Sequence, residues 1–201
     1  MNDGAELISV EVGAAMWDRF FTVSPLVLVG TTEKDGEYNL APKHMAFPLG
    51  WEGYFGFVCT PDHATYWNAK RTGVFTVSYP RPTQIVLASL AAAPRDPATG
   101  CKSSLEAIET IPAKVVDGVL LADGYLFFEC ELARIIDGFG ANSLMIGRIV
   151  AAHARPDALR HLDVDDQVLI FHRPLLTYLH PGRFSRIRRS LSFPFYEATD
   201  E

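Results

Sequence analysis

Pro25-Leu26-Val27-Leu28-Val29-Gly30-Thr31-Thr32-Glu33-Lys34-Asp35-Gly36-Glu37-Tyr38-Asn39-Leu40-Ala41-Pro42-Lys43-His44 reads as two strands and the turn that joins them. Leu26 to Thr32 is a compact apolar, β-branched run of strand length. Lys34-Asp35-Gly36-Glu37 carries the Asp-Gly chemistry of a tight hairpin, and the second strand runs from Tyr38 to about His44. That second strand is mixed in a way that a plain strand is not. Pro42 removes a backbone donor, which confines the segment to a sheet edge or a bulge. Asn39, Lys43 and His44 are polar within a segment flanked by apolar strands. An edge with free amides can hydrogen-bond a planar heterocycle, and a lysine can neutralise a phosphate. An ordinary edge strand shielded by Lys and Pro has the same composition, so the residues alone leave both readings open.

Outward from this hairpin the chain continues in short strands. Tyr54–Thr60, Val74–Ser78, Tyr125–Ile136, Leu144–Ala152, Val168–Phe171, Leu175–Leu179 and Phe184–Ile187 carry the apolar or alternating pattern of strands, with a turn expected at Gly138-Phe139-Gly140. Upstream, Val12, Ala15, Met16, Arg19, Phe20 and Val23 fall at helical spacing, and an amphipathic helix is expected to end before Ser24-Pro25. Asp62 to Lys70 reads as a helical turn closed by Gly73 in a left-handed cap, and Asp157–Leu162 as a further turn. Between Pro80 and Pro112 the texture becomes alanine-rich and proline-punctuated. Helix is expected in Thr83–Ala92 and Ser103–Thr110, as an insertion too short to bury a core of its own. Many short strands with hairpin turns, and no β/α alternation, predict a mainly β chain folded as a closed or half-closed antiparallel barrel. The 201 residues suit one domain, 1–201, carrying a helical insertion around 80–112.

Composition removes several classes of function. A formal net charge of −6 argues against a sequence-blind nucleic-acid binder. The dense basic run is Arg183, Arg186, Arg188 and Arg189, readable as a solvated or ion-pairing surface or as a contact for an anion such as a nucleotide phosphate. Cys59, Cys101 and Cys130 form no C-x-x-C pair, and Cys59 and Cys130 sit in apolar runs as core thiols. With no basic n-region at the amino terminus and no apolar stretch of about 20 residues, the expectation is a cytoplasmic protein without a membrane partner. Gly138-x-Gly140-x-x-Ser143 is flanked by strands on both sides and reads as a hairpin, not as a dinucleotide fingerprint. No G-x-S-x-G elbow is present. His161, Asp163, Asp165 and Asp166 lack the spacing of a metal site. His153, His172 and His180 are read as structural.

The segment Thr60-Pro61-Asp62-His63-Ala64-Thr65-Tyr66-Trp67-Asn68-Ala69-Lys70-Arg71 follows a strand and opens a helix, whose free amides favour anions. The competing reading is a capped helix with Trp67 in the core. In order along the chain, these segments resemble the flavin reductase-like and flavoredoxin-type proteins, which bind FMN in a split β-barrel. The resemblance rests on the Pro25–Thr32 strand, the Asp-Gly turn, the Asn-x-Ala-Pro strand at Asn39 to Pro42, Thr65 in the helical turn and Thr72 to Val77. Downstream it rests on Leu144 to Val150 and on Leu175 to Phe184. It implies an antiparallel, Greek-key-like split barrel with peripheral helices, and a homodimer with FMN near the subunit interface. It implies Asn39, Ala41, Lys43, His44, Met45 and Ala46 for the ring of the flavin, and Thr60, His63, Thr65 and Asn68 for its phosphate. It further implies FMN as cofactor or substrate and NAD(P)H as hydride donor, with no metal and no acid–base catalytic residue. The alternative is a flavin-binding electron carrier that does not itself oxidise NAD(P)H. Three departures stand out: His44 where relatives carry Ser, His63-Ala64-Thr65 for Lys-Asp-Thr, and Gly140-Ala141-Asn142-Ser143 where short-chain reductases have Gly-Asp-His.

Overall fold

The computed structural model describes residues 7–194, apart from 97, 99, 101 and 162. The opening hairpin is β2 (Val27–Thr32) and β3 (Tyr38–Lys43), registered from Val27 opposite Lys43 to Thr32 opposite Tyr38. Its turn is closed by the Glu33 amide donating to Glu37 O at 2.7 Å, with Gly36 at φ 90°, a conformation that favours glycine. With β4 (Ala46–Pro48), β5 (Tyr54–Cys59), β6 (Val74–Tyr79), β9 (Leu126–Phe139) and β10 (Asn142–Ala154), the hairpin builds a seven-stranded antiparallel sheet of order β3-β2-β6-β9-β10-β5-β4. Strands β3 and β4 are consecutive in the chain yet occupy opposite edges. The sheet therefore curls into a split barrel, and the Val58 amide reaches Met45 O at 2.8 Å beside the seam. A second sheet of order β1-β11-β12, from β1 (Thr22–Pro25), β11 (Leu175–His180) and β12 (Arg183–Ile187), stands against that seam through Tyr178, whose ring lies 4.6 Å from the ring of His44.

Strand β2 is buried at every position because it has a core on each face. Val27 and Val29 point inward to Phe55, Phe57, Phe75, Val77 and Met145. Leu28 points outward to Leu40, Ala88, Ala91, Ile108 and Leu121. The outer core comes from the segment between β6 and β9: α2 (Ile85–Leu90), a 3-10 turn at Ser103–Ala107, and the hairpin β7 (Thr110–Pro112) and β8 (Val119–Leu121). Gly30 makes that layer possible. A Cβ there would stand 2.3 Å from Thr76 Oγ1 and 2.8 Å from Val119 O, and the Thr76 hydroxyl uses the space to donate to Val119 O at 2.6 Å. Inside the barrel the ring of Phe75 covers Gly147, where a Cβ would lie 2.4 Å from Phe75 Cζ and 2.9 Å from Cys130 Cβ. Glu129, fully buried on β9, fastens the connection into β8. Its carboxylate accepts from the Lys114, Val115 and Val116 amides at 2.9, 2.6 and 2.9 Å, and His153 Nε2 lies 2.9 Å away. Burial alone would raise its pKa, but these donors together bring it below the ordinary carboxylate value.

Three expectations are corrected. The helix expected over Val12–Val23 is a short 3-10 helix at Ala14–Arg19 that buries no side chain, because Thr22–Pro25 pairs with β11 as a strand. Val168–Phe171 is not a strand but lies within helix α3 (Asp166–His172). Asp165 caps that helix, its Oδ1 accepting from the Gln167 and Val168 amides at 2.8 and 3.2 Å, and this local side-chain bond outweighs the β-propensity of the apolar run. Between Pro80 and Pro112, helix among the described residues is confined to Pro82–Gln84 (3-10), α2 and Ser103–Ala107, and Thr110 opens a strand instead of ending a helix. The expected turn at Asp157–Leu162 is a 3-10 turn at Pro156–Ala158; Leu162 lies outside the described residues, as does Cys101. Cys59 and Cys130 are buried free thiols.

Gly30→Ala is expected to lower unfolding stability by about 1–3 kcal/mol through overpacking, because its nearest neighbours include backbone that cannot swing away. Gly13→Ala, which meets nothing within 4 Å, is expected to be near neutral. Urea unfolding of the two variants checks this, and equal midpoints would count against the close approach.

Candidate functional site

The edge strand β3 and the start of α1 (Ala64–Thr72) line one groove of about 630 Å³, roofed by Ala91–Arg95 and Lys102 of the segment between β6 and β9. Each wall follows from the chain. On β3 the alternation brings Asn39, Ala41 and Lys43 to the groove, with Pro42 at the unpaired edge where its missing donor costs no ladder bond. Helix α1 starts after Asp62-His63, with His63 in extended conformation and no side chain capping the first amides. The Tyr66 amide turns back to His63 O at 3.1 Å, which leaves the amides of Ala64 and Thr65 for an outside acceptor. The helix ends at Gly73 in the left-handed region, φ 72°, its amide donating to Ala69 O at 2.9 Å.

Two buried groups on β3 are poorly satisfied. Asn39 is 3% exposed, and its Oδ1 has no hydrogen-bond partner among the described residues. Lys43 is 8% exposed, and among the described residues its ammonium reaches only Cys59 Sγ, at 3.4 Å. A buried amide oxygen without a donor and a buried ammonium without a carboxylate are both costly unless something else completes them. The groove is electropositive as well. Lys43, His63, Arg95 and Lys102 stand around it, and Asp62 is the one carboxylate among its described lining residues. Lys102 donates to Leu40 O at 3.2 Å and to Ala91 O, and Arg95 pairs with Glu33. Burial, together with Arg95 and Lys43 and against the pull of Glu33, pushes the Lys102 ammonium down to about 8. Burial and then Lys43 lower the His63 imidazole below its ordinary value, with Asp62 opposing. A helix start beside crowded cations and an unanswered acceptor suits an anion joined to a group that can donate a hydrogen bond.

Of the residues expected at the site, the structure gathers Asn39, Ala41, Lys43, His63 and Thr65 around this groove. His44 and Met45 lie in the seam. The His44 ring packs on Tyr178, and burial, then His180 and Lys43, lower its pKa; Met45 is half exposed. The Ala46 side chain is in the barrel core. Thr60 lines a separate shallow groove with Tyr66, Asp137 and Ser143. Asn68 is buried behind α1, where its Nδ2 donates to Thr31 Oγ1 at 3.3 Å. Trp67 is 53% exposed, not in the core, and its Nε1 donates to Pro61 O at 2.7 Å. Sequence reasoning missed Arg95 and Lys102, single cations in an aperiodic segment that only the tertiary fold carries over β3. A second cavity of about 660 Å³ lies elsewhere, between α3 and residues 190–193, and its arginines Arg81, Arg160 and Arg173 are all paired with aspartates.

Comparison with known proteins converges on the same architecture. A family model described as the flavin reductase like domain matches residues 19–183. The flavoredoxin of Desulfovibrio vulgaris (Miyazaki F) superposes with a TM-score of 0.74 at 19% identity, over 94% of this chain and 98% of that one. The Pseudomonas fluorescens 2-nitrobenzoate 2-nitroreductase gives 0.70 at 21% identity, over 89% and 88%. The NADH:FAD oxidoreductase of Streptomyces globisporus C-1027 gives 0.65 at 15% identity, over 83% and 87%.

An anion entering the groove favours the protonated form of Lys102. Affinity for a phosphorylated ligand is therefore expected to be flat between about pH 7 and 8, above the second phosphate ionisation, and to fall as pH rises further, with proton uptake on binding near pH 8. Calorimetry with FMN at pH 8 in two buffers of different ionisation enthalpy reads the uptake directly. Identical heats in both buffers would contradict the linkage.

Proposed function

The chain belongs to the flavin reductase-like family, and on that premise we propose that it binds FMN in the groove between β3 and α1 and oxidises NAD(P)H through it. The observation that carries this reading is the pairing of the unanswered Asn39 Oδ1 and the buried Lys43 ammonium with an uncapped helix start across the same groove. Flavin is the group the family handles, and its ring N–H suits the first while its phosphate suits the second and third. In this reading Thr65 and the amides at the start of α1 hold the phosphate with Lys43 and His63. Asn39 and the backbone around Ala41 orient the ring. His44, Met45 and Ala46 carry the chain along its edge. Thr60 and Asn68 act from behind, by fixing α1 against the sheet.

Bound flavin would supply the redox chemistry, the acceptance of a hydride from a reduced nicotinamide and the delivery of its electrons. The residues of the chain position the reactants, exclude water and offset negative charge on the ring with nearby backbone amides. No side chain has to shuttle a proton for the hydride step, in keeping with the lack of a triad.

A second reading, an electron carrier without NAD(P)H oxidation, is favoured by Gly140-Ala141-Asn142-Ser143. Gly140 and Ala141 form the tip between β9 and β10, Asn142 and Ser143 open β10, and the four bring no histidine there. One experiment separates the two. Protein mixed with FMN should quench flavin fluorescence, and anaerobic addition of NADH or NADPH should then bleach the flavin absorbance. Quenching without bleaching selects the carrier, and no quenching removes both.

Self-association as a homodimer belongs to the same proposal. Phe21, Val23, Met45 and Phe47 are exposed apolar side chains on or beside β1 and β4, which run next to each other at the seam. Such a cluster is characteristic of an interface. No helix is long and apolar enough to cross a membrane among the described residues. Sedimentation at micromolar concentration is expected to show a dimer, and a monomer would remove this part.

A further inference from the structure

The chain has an acid surplus, and Arg81, Arg95, Arg148, Arg160 and Arg173 each engage a carboxylate. Arg183, Arg186, Arg188 and Arg189 are exposed, and none has a carboxylate partner among the described residues. Four like charges within seven residues repel one another, and in a protein of net charge −6 nearby acids could have neutralised them. Their place in the fold is specific. They lie on or just past β12, the free edge of the three-stranded sheet. Cross-strand partners share a face, and β12 pairs Phe184 with Tyr178 and Arg186 with Leu176. Phe184 and Arg186 are thus on the face from which Tyr178 packs against His44 in the seam. One strand spacing across and two residues along place Arg186 roughly 5 Å by 7 Å from Tyr178. This is within the span of an extended dinucleotide whose far end lies at the seam.

We propose that this strip reads the 2′-phosphate of NADPH, with Arg186 and Arg188 as the phosphate contacts and Phe184 as an apolar platform for the adenine, so that the chain prefers NADPH to NADH. The inference rests on the NAD(P)H reading above and deepens it. Arginine suits the task because its fork of donors pairs two-fold with phosphate oxygens and is charged at every accessible pH. A phosphomonoester brings close to two negative charges, which answers the local surplus.

The test uses the full chain loaded with FMN and two fragments as probes, 2′,5′-ADP and 5′-AMP, with binding followed by calorimetry. The parent protein is expected to bind 2′,5′-ADP at least tenfold tighter than 5′-AMP. The double variant Arg186→Ala/Arg188→Ala should bring the two within about twofold, and Arg134→Ala, an exposed arginine on β9, should leave the preference intact. Steady-state rates should follow, with the ratio of kcat/KM for NADPH over NADH falling in the double variant while kcat holds. Equal binding of both fragments by the parent overturns the inference, as does an equal loss of preference in Arg134→Ala. Oxidation of NADH and NADPH without preference overturns it too, and leaves the oxidoreductase reading standing. A tenfold preference for 2′,5′-ADP in a protein that oxidises neither nucleotide upholds the phosphate site and removes the hydride reading instead.

Discussion

Two residues, His44 and Met45, separate the strands at the two ends of a seven-stranded sheet. Flat, six inter-strand gaps of about 4.8 Å would set β3 and β4 about 29 Å apart. From Lys43 to Ala46 the chain has three Cα steps of about 3.8 Å, at most about 11 Å. The sheet has to curl until its edges meet, and the rest of the molecule follows. The inner faces become a closed core, the seam falls at residues 43–46, and the three-stranded sheet closes against that seam through Tyr178 and His180.

The seam also decides where polar groups can be left unanswered. Strand β3 is an edge, so its outer backbone has no ladder partner, yet the segment between β6 and β9 roofs it and keeps water away from Asn39 and Lys43. A bare edge would be hydrated, and a paired edge would be satisfied. Roofed but unpaired, it holds an amide oxygen and an ammonium at a cost that a ligand can recover. That segment contributes charge as well as cover, since Lys102 ties Leu40 on β3 to the end of α2 at Ala91. The chemistry of the groove is thus shared between the barrel and a segment whose sequence carries no motif.

Local chemistry made much of this legible in the sequence. The Asp-Gly turn, Pro42 on an edge and Gly73 at a helix end each report a backbone requirement that few other residues meet, and each stands where its chemistry demands. The facing of residues 39–43 and 62–65 could be inferred only from the order of segments. The pattern misleads where tertiary context or a local cap outweighs it. Apolar spacing at Val12–Val23 had no surface to pack on, and Val168–Phe171 is β-prone by composition but helical because Asp165 caps it. The β7–β8 hairpin is not legible locally because its connecting loop is held by Glu129 on β9, a carboxylate that no local pattern ties to it. Lys102 was unreadable for the same reason: its place over β3 is fixed by contacts about 60 residues apart, as the bond to Leu40 O shows.

The ring of Phe75 against Gly147 has a wider meaning. With aromatic carbons standing where a methyl group would go, and Phe55, Phe57 and Met145 filling the space beside them, the barrel has no lumen. It is a solid post, not a vessel. Whatever this protein carries must ride on its outside, and evolution can reshape the cargo by altering a rim and a roof without repacking the pillar that holds them up.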